Sequence, residues 1–393
     1  MNDSVHLGDC LSVLRDCKSD SVDVIYLDPP FYSQRKHSGR GRKDSVVLEF
    51  DDTWPDLQSY IQFMRERLFE CQRVLKSTGS IFLHCDRSAS HHLRVLLDEV
   101  FGAKRFESEI IWAYRRWSNS KRGLLNAHQV IFFYSKTSRY KFFPAYDEYS
   151  PTTNLDQIFQ KRTRGLTGKS EYKESNDGLF ELVERKKGVP LSDVWNIPYL
   201  NPKAKERVGY PTQKPILLLE RIIRLVSEPG DIVLDPFCGS GTTLVAAKLL
   251  GRSYVGIDVS PEAVRLSNER LQRPVRTESA LLKRGIDSYR HLPDEISDLL
   301  HDLGVQSVQR NAGIDGFLKA GENIYPIPLR VQRVGETVDF VQRKILESGK
   351  RQGFSKCMVL VLEPSVLEER WIDSMQVVFV SRDNFEAGRS MLV

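Results

Sequence analysis

Val24-Ile25-Tyr26-Leu27-Asp28-Pro29-Pro30-Phe31 is an apolar run that ends on a carboxylate, two prolines and an aromatic ring. Such a run predicts a buried parallel strand, and the Pro-Pro pair stops it abruptly because proline has no N–H and a fixed φ. Pro29 also holds Asp28 in an extended conformation. The outcome is a stiff corner at the strand's C-terminal end, presenting a carboxylate, a free backbone carbonyl and a ring face together. A planar base with an exocyclic amino group suits that corner. Asp28 and the Pro29 carbonyl can accept the two amino hydrogens, Pro30 completes the turn, and Phe31 stacks on the ring. An aromatic amine is a poor nucleophile because its lone pair is delocalised. Two acceptors drawing the hydrogens out of plane localise that pair toward an electrophile. The plainer reading is that Pro-Pro-Phe merely ends a strand, so a second stretch has to decide.

That stretch is Ile232-Val233-Leu234-Asp235-Pro236-Phe237-Cys238-Gly239-Ser240-Gly241-Thr242-Thr243, followed by a helix over 244–250 capped by Gly251. Strand, glycine turn and helix N-terminus form a nucleotide-cofactor cradle in which glycines permit close backbone approach. The next strand, 254–257, delivers Asp258 about 20 residues after the first glycine, the usual place for an acid binding ribose hydroxyls. NAD binding is the obvious rival. The third glycine of the dinucleotide fingerprint is missing, however, since Leu244 takes its place, and no Gly-Lys-Ser/Thr phosphate loop is present.

Asp28-Pro29-Pro30-Phe31 resembles the [Asp/Asn/Ser]-Pro-Pro-[Tyr/Phe/Trp] signature of amino-methyltransferases, which methylate adenine N6 or cytosine N4 in DNA using S-adenosylmethionine. The segment 235–243 is similar to the form that the cofactor motif takes in that family. Thr212-Gln213-Lys214-Pro215 looks like the family segment packed against the methionine part of the cofactor. Catalytic corner first, recognition insert next and cofactor motif last is the circularly permuted order of the beta group, in which Gly8-Asp9 looks like the contact to the cofactor's adenine end. The resemblance covers roughly 5–272. It implies an α/β fold with a Rossmann-like methyltransferase sheet, and a flipped base as substrate, because a stacked and paired amine cannot reach Asp28. Asp28, Pro29, Pro30 and Phe31 are then the catalytic corner. Asp9, Lys214, Asp235, Phe237, Gly239, Gly241, Thr242, Thr243 and Asp258 are the cofactor contacts. Double-stranded DNA is the implied partner, with adenine N6 favoured over cytosine N4 because Asp-Pro-Pro is commoner among adenine enzymes. A cognate restriction nuclease is a further implied partner, and monomer and homodimer both stay open. A DNA-binding protein on a relict methyltransferase fold is the rival of another class, disfavoured by the intact Asp28, Asp235, Gly239, Gly241 and Asp258.

Composition agrees with this reading without requiring it. The 393 residues are 40% hydrophobic and 28% charged, ordinary for a globular protein of two or three domains. No apolar run approaches membrane-spanning length, and Met1-Asn2-Asp3-Ser4 does not open a signal peptide. Six scattered cysteines without a Cys-x-x-Cys pair predict a reduced, cytoplasmic protein. The resemblance implies that it is bacterial or archaeal and nucleoid-associated. His84, Cys85, Asp86, His91 and His92 straddle a strand end and a helix start without ligand spacing, so no metal site is expected.

The net charge of +5 permits a nucleic-acid partner, and the basic residues cluster. The stretch 33–52, rich in Gly, Arg and Lys, predicts a mobile basic loop beside the corner. A helix is expected from Asp56 through Leu75, closed by Gly79, then a strand over 81–84 and a helix over 93–101. Aromatic-rich strands over 109–114 and 130–134 are expected to close one sheet edge around a polar turn with Arg115, Arg116, Lys121 and Arg122. Residues 136–194, carrying Arg162 and Arg164, lie where the resemblance places the target-recognition insert, and their interleaved cations and aromatics suit phosphate and groove contacts. Domain limits are expected at 1–272, a linker at 273–293 and a small α/β domain at 294–393. There Gly313-Ile314-Asp315-Gly316 and 327–333 faintly resemble restriction-type nuclease domains. Arg330 and Gln332 stand where those carry an acid or amide and a lysine, so Asp315 alone should hold no working Mg²⁺ site.

Overall fold

The computed structural model describes residues 3–40, 47–114, 123–147, 161–165, 168–173, 189–201, 203–277, 292–308, 313–320, 323–352 and 354–393. The chain divides into two compact units, Met1–Glu278 and Ser279–Val393. The expected linker lies largely outside the described residues.

The first unit runs β1 (Ser4–Leu7), α1 (Cys10–Asp16), β2 (Val22–Leu27), β3 (Arg35–Arg40), β4 (Val47–Asp52), α2 (Leu57–Val74), β5 (Leu75–Cys85), α3 (Ser90–Phe101), β6 (Phe106–Ala113) and β7 (His128–Ser135). Short strands β8 (Tyr146–Asp147), β9 (Arg162–Arg164), β10 (Ser170–Tyr172), β11 (Val189–Pro190) and β12 (Val194–Asn196) follow. The unit closes with α4 (Ile216–Val226), β13 (Ile232–Asp235), α5 (Thr242–Leu249), β14 (Ser253–Asp258) and α6 (Pro261–Gln272). One eight-stranded sheet has the order β1-β14-β13-β2-β5-β7-β6-β12. Its first five strands are parallel, and β7 runs antiparallel to both β5 and β6. The outermost strand is β12, parallel to β6, so the aromatic pair of strands does not itself form the edge.

All six residues of β2 are buried, as a strand covered on both faces requires. Alternation sends Ile25 and Leu27 to one apolar cluster and Val24 and Tyr26 to the other. The first cluster takes its helical residues from α1, α2 and α3, the second from α4 and α5 with Leu271 of α6. Asp23, the one carboxylate inside β2, accepts from Lys76 Nζ (2.7 Å) and from the Ile232 N–H (3.0 Å), joining β2 to β5 and β13. As a result β2 and β13, distant in sequence, are neighbours whose C-terminal ends open on one crevice.

Two expectations are corrected. The described residues of 33–52 are not a loop: β3 and β4 pair antiparallel, Arg35 with Asp52 through Arg40 with Val47, and 41–46 lie outside the described residues. The run Val46–Phe50, β-branched and apolar, carried that signal, but the surrounding glycine and cations masked it. Gly79 does not close α2, which ends at Val74; it lies inside β5. A Cβ there would sit 2.7 Å from Leu75 Cδ1 and 2.8 Å from the Asp23 carbonyl, so the glycine serves close strand approach.

The second unit contains α7 (Asp294–Asp302), β15 (Gln306–Ser307), β16 (Gly316–Ala320), β17 (Asn323–Val331), α8 (Val338–Gln352), β18 (Lys356–Leu360), β19 (Leu367–Ile372), β20 (Met375–Val380) and α9 (Phe385–Leu392). Its sheet order is β15-β16-β17-β18-β20-β19, with β17, β18 and β20 parallel. Asp315 is fully buried, and its carboxylate is taken by Arg333 (2.7 Å) and the Val331 N–H (2.8 Å). Arg330, at the position of the missing acid, pairs with Glu336 (2.9 Å).

Candidate active site

The corner after β2 is built as its residues dictate. Asp28 leaves the buried strand with one oxygen, Oδ2, accepting from Lys214 Nζ. The other, Oδ1, is buried and accepts no hydrogen bond among the described residues. Burial pushes the Asp28 carboxyl up, against the lowering effect of Lys214. His84 Nδ1 lies 3.7 Å from Oδ1 but does not serve it. Burial raises the Tyr26 hydroxyl far above its ordinary range, so it stays protonated and donates to His84 Nδ1 (2.7 Å). Burial, then Lys214, lowers His84 well below its ordinary value, so the ring is neutral and its Nε2–H is left to donate to Gln129 Oε1 (3.0 Å). The imidazole Nδ1, engaged by the Tyr26 hydroxyl, therefore offers no proton to Asp28. Pro30's carbonyl accepts from Tyr60 (2.8 Å), whereas Pro29's accepts from no described group. Two acceptors without partners, Asp28 Oδ1 and the Pro29 carbonyl, thus sit beside the Phe31 ring.

The cradle after β13 adjoins this corner. Gly239 (φ 49°) and Gly241 (φ 72°) take left-handed conformations. A Cβ on Gly241 would meet Ser267 Oγ at 2.7 Å, and one on Gly239 would meet the Tyr210 ring at 3.0 Å. Asp258 Oδ2 accepts from the Gly239 N–H (2.8 Å) and Oδ1 from the Ser260 N–H (2.9 Å), which ties the acid at the end of β14 to the turn. Burial raises its carboxyl above the ordinary range despite those bonds. Asp235 accepts from the Phe237 N–H (3.0 Å). Burial is the main force pushing it up to about 7; Thr243 and the Phe237 N–H oppose the shift, and the Asp28 and Asp258 charges add to it. Buried Arg270 donates to the Ser240 carbonyl (2.5 Å) and to Thr242 Oγ1 (3.1 Å), fixing the turn from below.

One cleft of about 1080 Å³ runs along both features, lined among others by Asp9, Asp28, Phe31, Lys214, Asp235, Phe237, Gly239 and Asp258. A family profile described as DNA methylase, the N6/N4 methyltransferases, matches residues 22–269. The chain belongs to this DNA methylase family. Type II methyltransferase M.HpaI of Haemophilus parainfluenzae is 30% identical over 323 residues, 82% of this chain and 88% of that one. DNA adenine methyltransferase YhdJ of Escherichia coli is 29% identical over 266 residues, 67% and 81% of the two chains. The solved PvuII DNA methyltransferase (cytosine-N4-specific) is similar over 69% of this chain and 86% of its own, with 19% identity and a TM-score of 0.46.

In this DNA methylase the residues predicted from the sequence fall into three groups. Asp28, Pro29, Pro30 and Phe31, with Asp9, Lys214, Asp235, Phe237, Gly239, Thr242, Thr243 and Asp258, line the single cleft, and Gly241 caps α5 at its wall. Lys214 sits within it against the Asp28 carboxylate. Asp9 caps α1 and is gripped by Arg67 (2.7 and 2.9 Å). Burial tends to raise its carboxyl, but the Leu11 N–H and Arg67 together hold it below the ordinary value. Arg162 and Arg164 stand exposed on β9, outside the cleft, with Arg162 bonded to Tyr172 (3.1 Å). Arg115, Arg116, Lys121 and Arg122 lie outside the described residues.

Sequence reasoning missed Arg67, Tyr60 and the Tyr26–His84–Gln129 chain. Each is a polar residue at an otherwise apolar position of α2, β2, β5 or β7, and that irregularity was the available signal. No described helix is long and apolar enough to cross a membrane.

Proposed function

We propose that the protein transfers a methyl group from S-adenosylmethionine to the exocyclic amine of a base flipped out of double-stranded DNA, at adenine N6. The observation that carries this reading is the buried, unpartnered Asp28 Oδ1 beside the free Pro29 carbonyl. Buried polar atoms are normally satisfied, so two idle acceptors in an open cleft await a donor with two hydrogens. A primary aromatic amine is such a donor.

The cradle suits the cofactor class. Gly239 and Gly241 leave no room for a Cβ, and Asp258 stands at the end of β14 where ribose hydroxyls need an acceptor. The glycine turn is flanked by the carboxylates of Asp235 and Asp258, a setting hostile to a pyrophosphate and favourable to a cation. When bound, S-adenosylmethionine supplies an electrophilic methyl group on a cationic sulfur. The protein's part is positional: Asp28 and Pro29 orient the amine, Phe31 holds the base plane, and His84, kept neutral, withholds any proton that would compete for Asp28. Base flipping is required because the amine of a paired base is occupied.

Adenine N6 is preferred over cytosine N4 because the corner begins with aspartate, and because the relative YhdJ, at 29% identity, is an adenine methyltransferase. Arg162 and Arg164 in the recognition insert contact the DNA. A cognate restriction nuclease is the partner proposed for a protein of this type, working beside a monomer or homodimer in the bacterial or archaeal cytoplasm at the nucleoid. Nucleoside analysis of methylated DNA by mass spectrometry tests the assignment. N6-methyladenine is expected, and N4-methylcytosine alone overturns the choice of base.

A further inference from the structure

Three successive backbone N–H groups of the corner, those of Phe31, Tyr32 and Ser33, converge on one side chain. They donate to Asp52, at 3.1, 3.0 and 2.8 Å, and the Trp54 indole N–H adds a fourth bond at 3.0 Å. The convergence needs Tyr32 at φ 60°, a left-handed conformation that a residue with a Cβ adopts only when its surroundings enforce it. Consecutive amides in alternating right- and left-handed conformations form an anion-binding concavity, and here the anion is supplied by the protein itself. Asp52 is 1% exposed, the last residue of β4, and it is delivered to the corner by the hairpin with β3. On the other side Tyr60 of α2 holds the Pro30 carbonyl, and the Trp54 and Tyr60 rings meet edge to face at 5.1 Å.

We propose that Asp52, with Tyr60 opposite it, is a positioning residue for methyl transfer: it clamps the 31–33 backbone so that the Phe31 ring and the Pro29 carbonyl keep the geometry the target amine requires. The inference rests on the methyltransferase reading and deepens it. With the three N–H groups and the Pro30 carbonyl all engaged, the Pro29 carbonyl, which accepts from no described group, is held in place for the substrate. The Phe31 ring is held 5.7 Å from the His84 ring, with Lys214 Nζ 5.4 Å from its centroid. The β3–β4 hairpin is thereby a structural part of the catalytic corner.

The test compares Asp52→Asn and Tyr60→Phe with the wild type, using tritiated S-adenosylmethionine and genomic DNA from cells that lack the modification. Asparagine has the shape of aspartate but one acceptor oxygen. Whichever way the amide turns, its NH₂ faces two of the four donors. With the corner displaced, kcat should fall about 100-fold in Asp52→Asn while KM for cofactor and for DNA stays within about threefold. Loss of the single Tyr60 hydroxyl should lower kcat about tenfold with the same pattern. An unchanged kcat in folded Asp52→Asn, or losses that appear wholly as raised KM, would overturn the proposal. If Asp52→Asn does not fold, Tyr60→Phe decides, since its ring stays packed: an unchanged kcat there refutes the brace. The wild-type arm keeps two failures apart. No methyl transfer by the wild type refutes the methyltransferase reading, whereas transfer undiminished in both variants refutes only the brace.

Discussion

In the proposed mechanism Lys214 and the amine of an incoming base both seek Asp28, and the carboxylate's two oxygens divide them. Oδ2 is held by the ammonium, which opposes the upward push of burial on the carboxyl, and Oδ1 is the oxygen the proposed mechanism gives to substrate. Asp28→Ala should lower methyl transfer on the order of 1000-fold, the scale of losing one preorganised hydrogen-bonding group at a reacting centre. Isothermal titration should find S-adenosylmethionine affinity nearly intact, because the carboxylate faces the base. Lost cofactor binding in that variant would place Asp28 in the wrong half of the cleft. Asp258→Ala should do the reverse and weaken the cofactor, since the same carboxylate also secures the Gly239 and Ser260 amides. An unchanged dissociation constant would count against it.

Asp235 adds a pH dependence. Its carboxyl, raised to about 7 chiefly by burial, is neutral below that pH and anionic above it. A cleft that loses a negative charge attracts a cation less, so affinity for the cationic cofactor, relative to its neutral thioether product, should fall as pH drops from 8 to 6. Titrating both ligands across that range checks the sign, and a ratio independent of pH would show that Asp235 does not sense the sulfonium.

Among the elements, those that punctuate themselves were legible. The strand β2 ends on prolines and β13 ends on a glycine turn, so periodicity and breakers placed both motifs at strand ends. What sequence could not supply was their adjacency, which is set by the β13–β2 pairing and the Asp23 bonds across it. The β3–β4 hairpin was obscured for a different reason. Glycine and cations masked the apolar Val46–Phe50 run, and the contacts that accompany the pairing, the Asp52 bonds and the stacked His37 and Phe50 rings (4.7 Å), are not announced by local pattern. Lys214 was singled out by its motif and lines the cleft, but its partner Asp28 lies far away in the chain, and proximity of that kind is tertiary.

In the proposed recognition insert, β9 presents Arg162 and Arg164 to solvent. Replacing both with alanine should weaken DNA binding and reduce the slope of log affinity against log salt by about 0.9 for each phosphate no longer neutralised, with cofactor affinity unchanged. Filter-binding titrations at several salt concentrations read this directly. An unaltered slope would remove these arginines from the DNA interface.

At the scale of the whole molecule, the chain joins a DNA methylase unit to a second α/β unit with its own core. Where the faint nuclease resemblance wants a metal beside Asp315, Arg333 supplies the counter-charge. Mg²⁺ should therefore produce no cleavage of unmethylated plasmid, and cleavage abolished by Asp315→Ala would overturn this. Asp315→Ala should instead destabilise the second unit by about 3 kcal/mol, at the low end for a broken buried pair because Arg333 is partly exposed. Thermal unfolding measures it.

The central claim is that the Asp28 corner methylates an exocyclic amine. Its most direct test is to incubate unmethylated genomic DNA with S-adenosylmethionine and either wild type or Asp28→Ala, digest the DNA to nucleosides and weigh them. N6-methyladenine from the wild type and none from the variant is the predicted result. No amine-methylated nucleoside from the wild type, or equal amounts from both proteins, would contradict it.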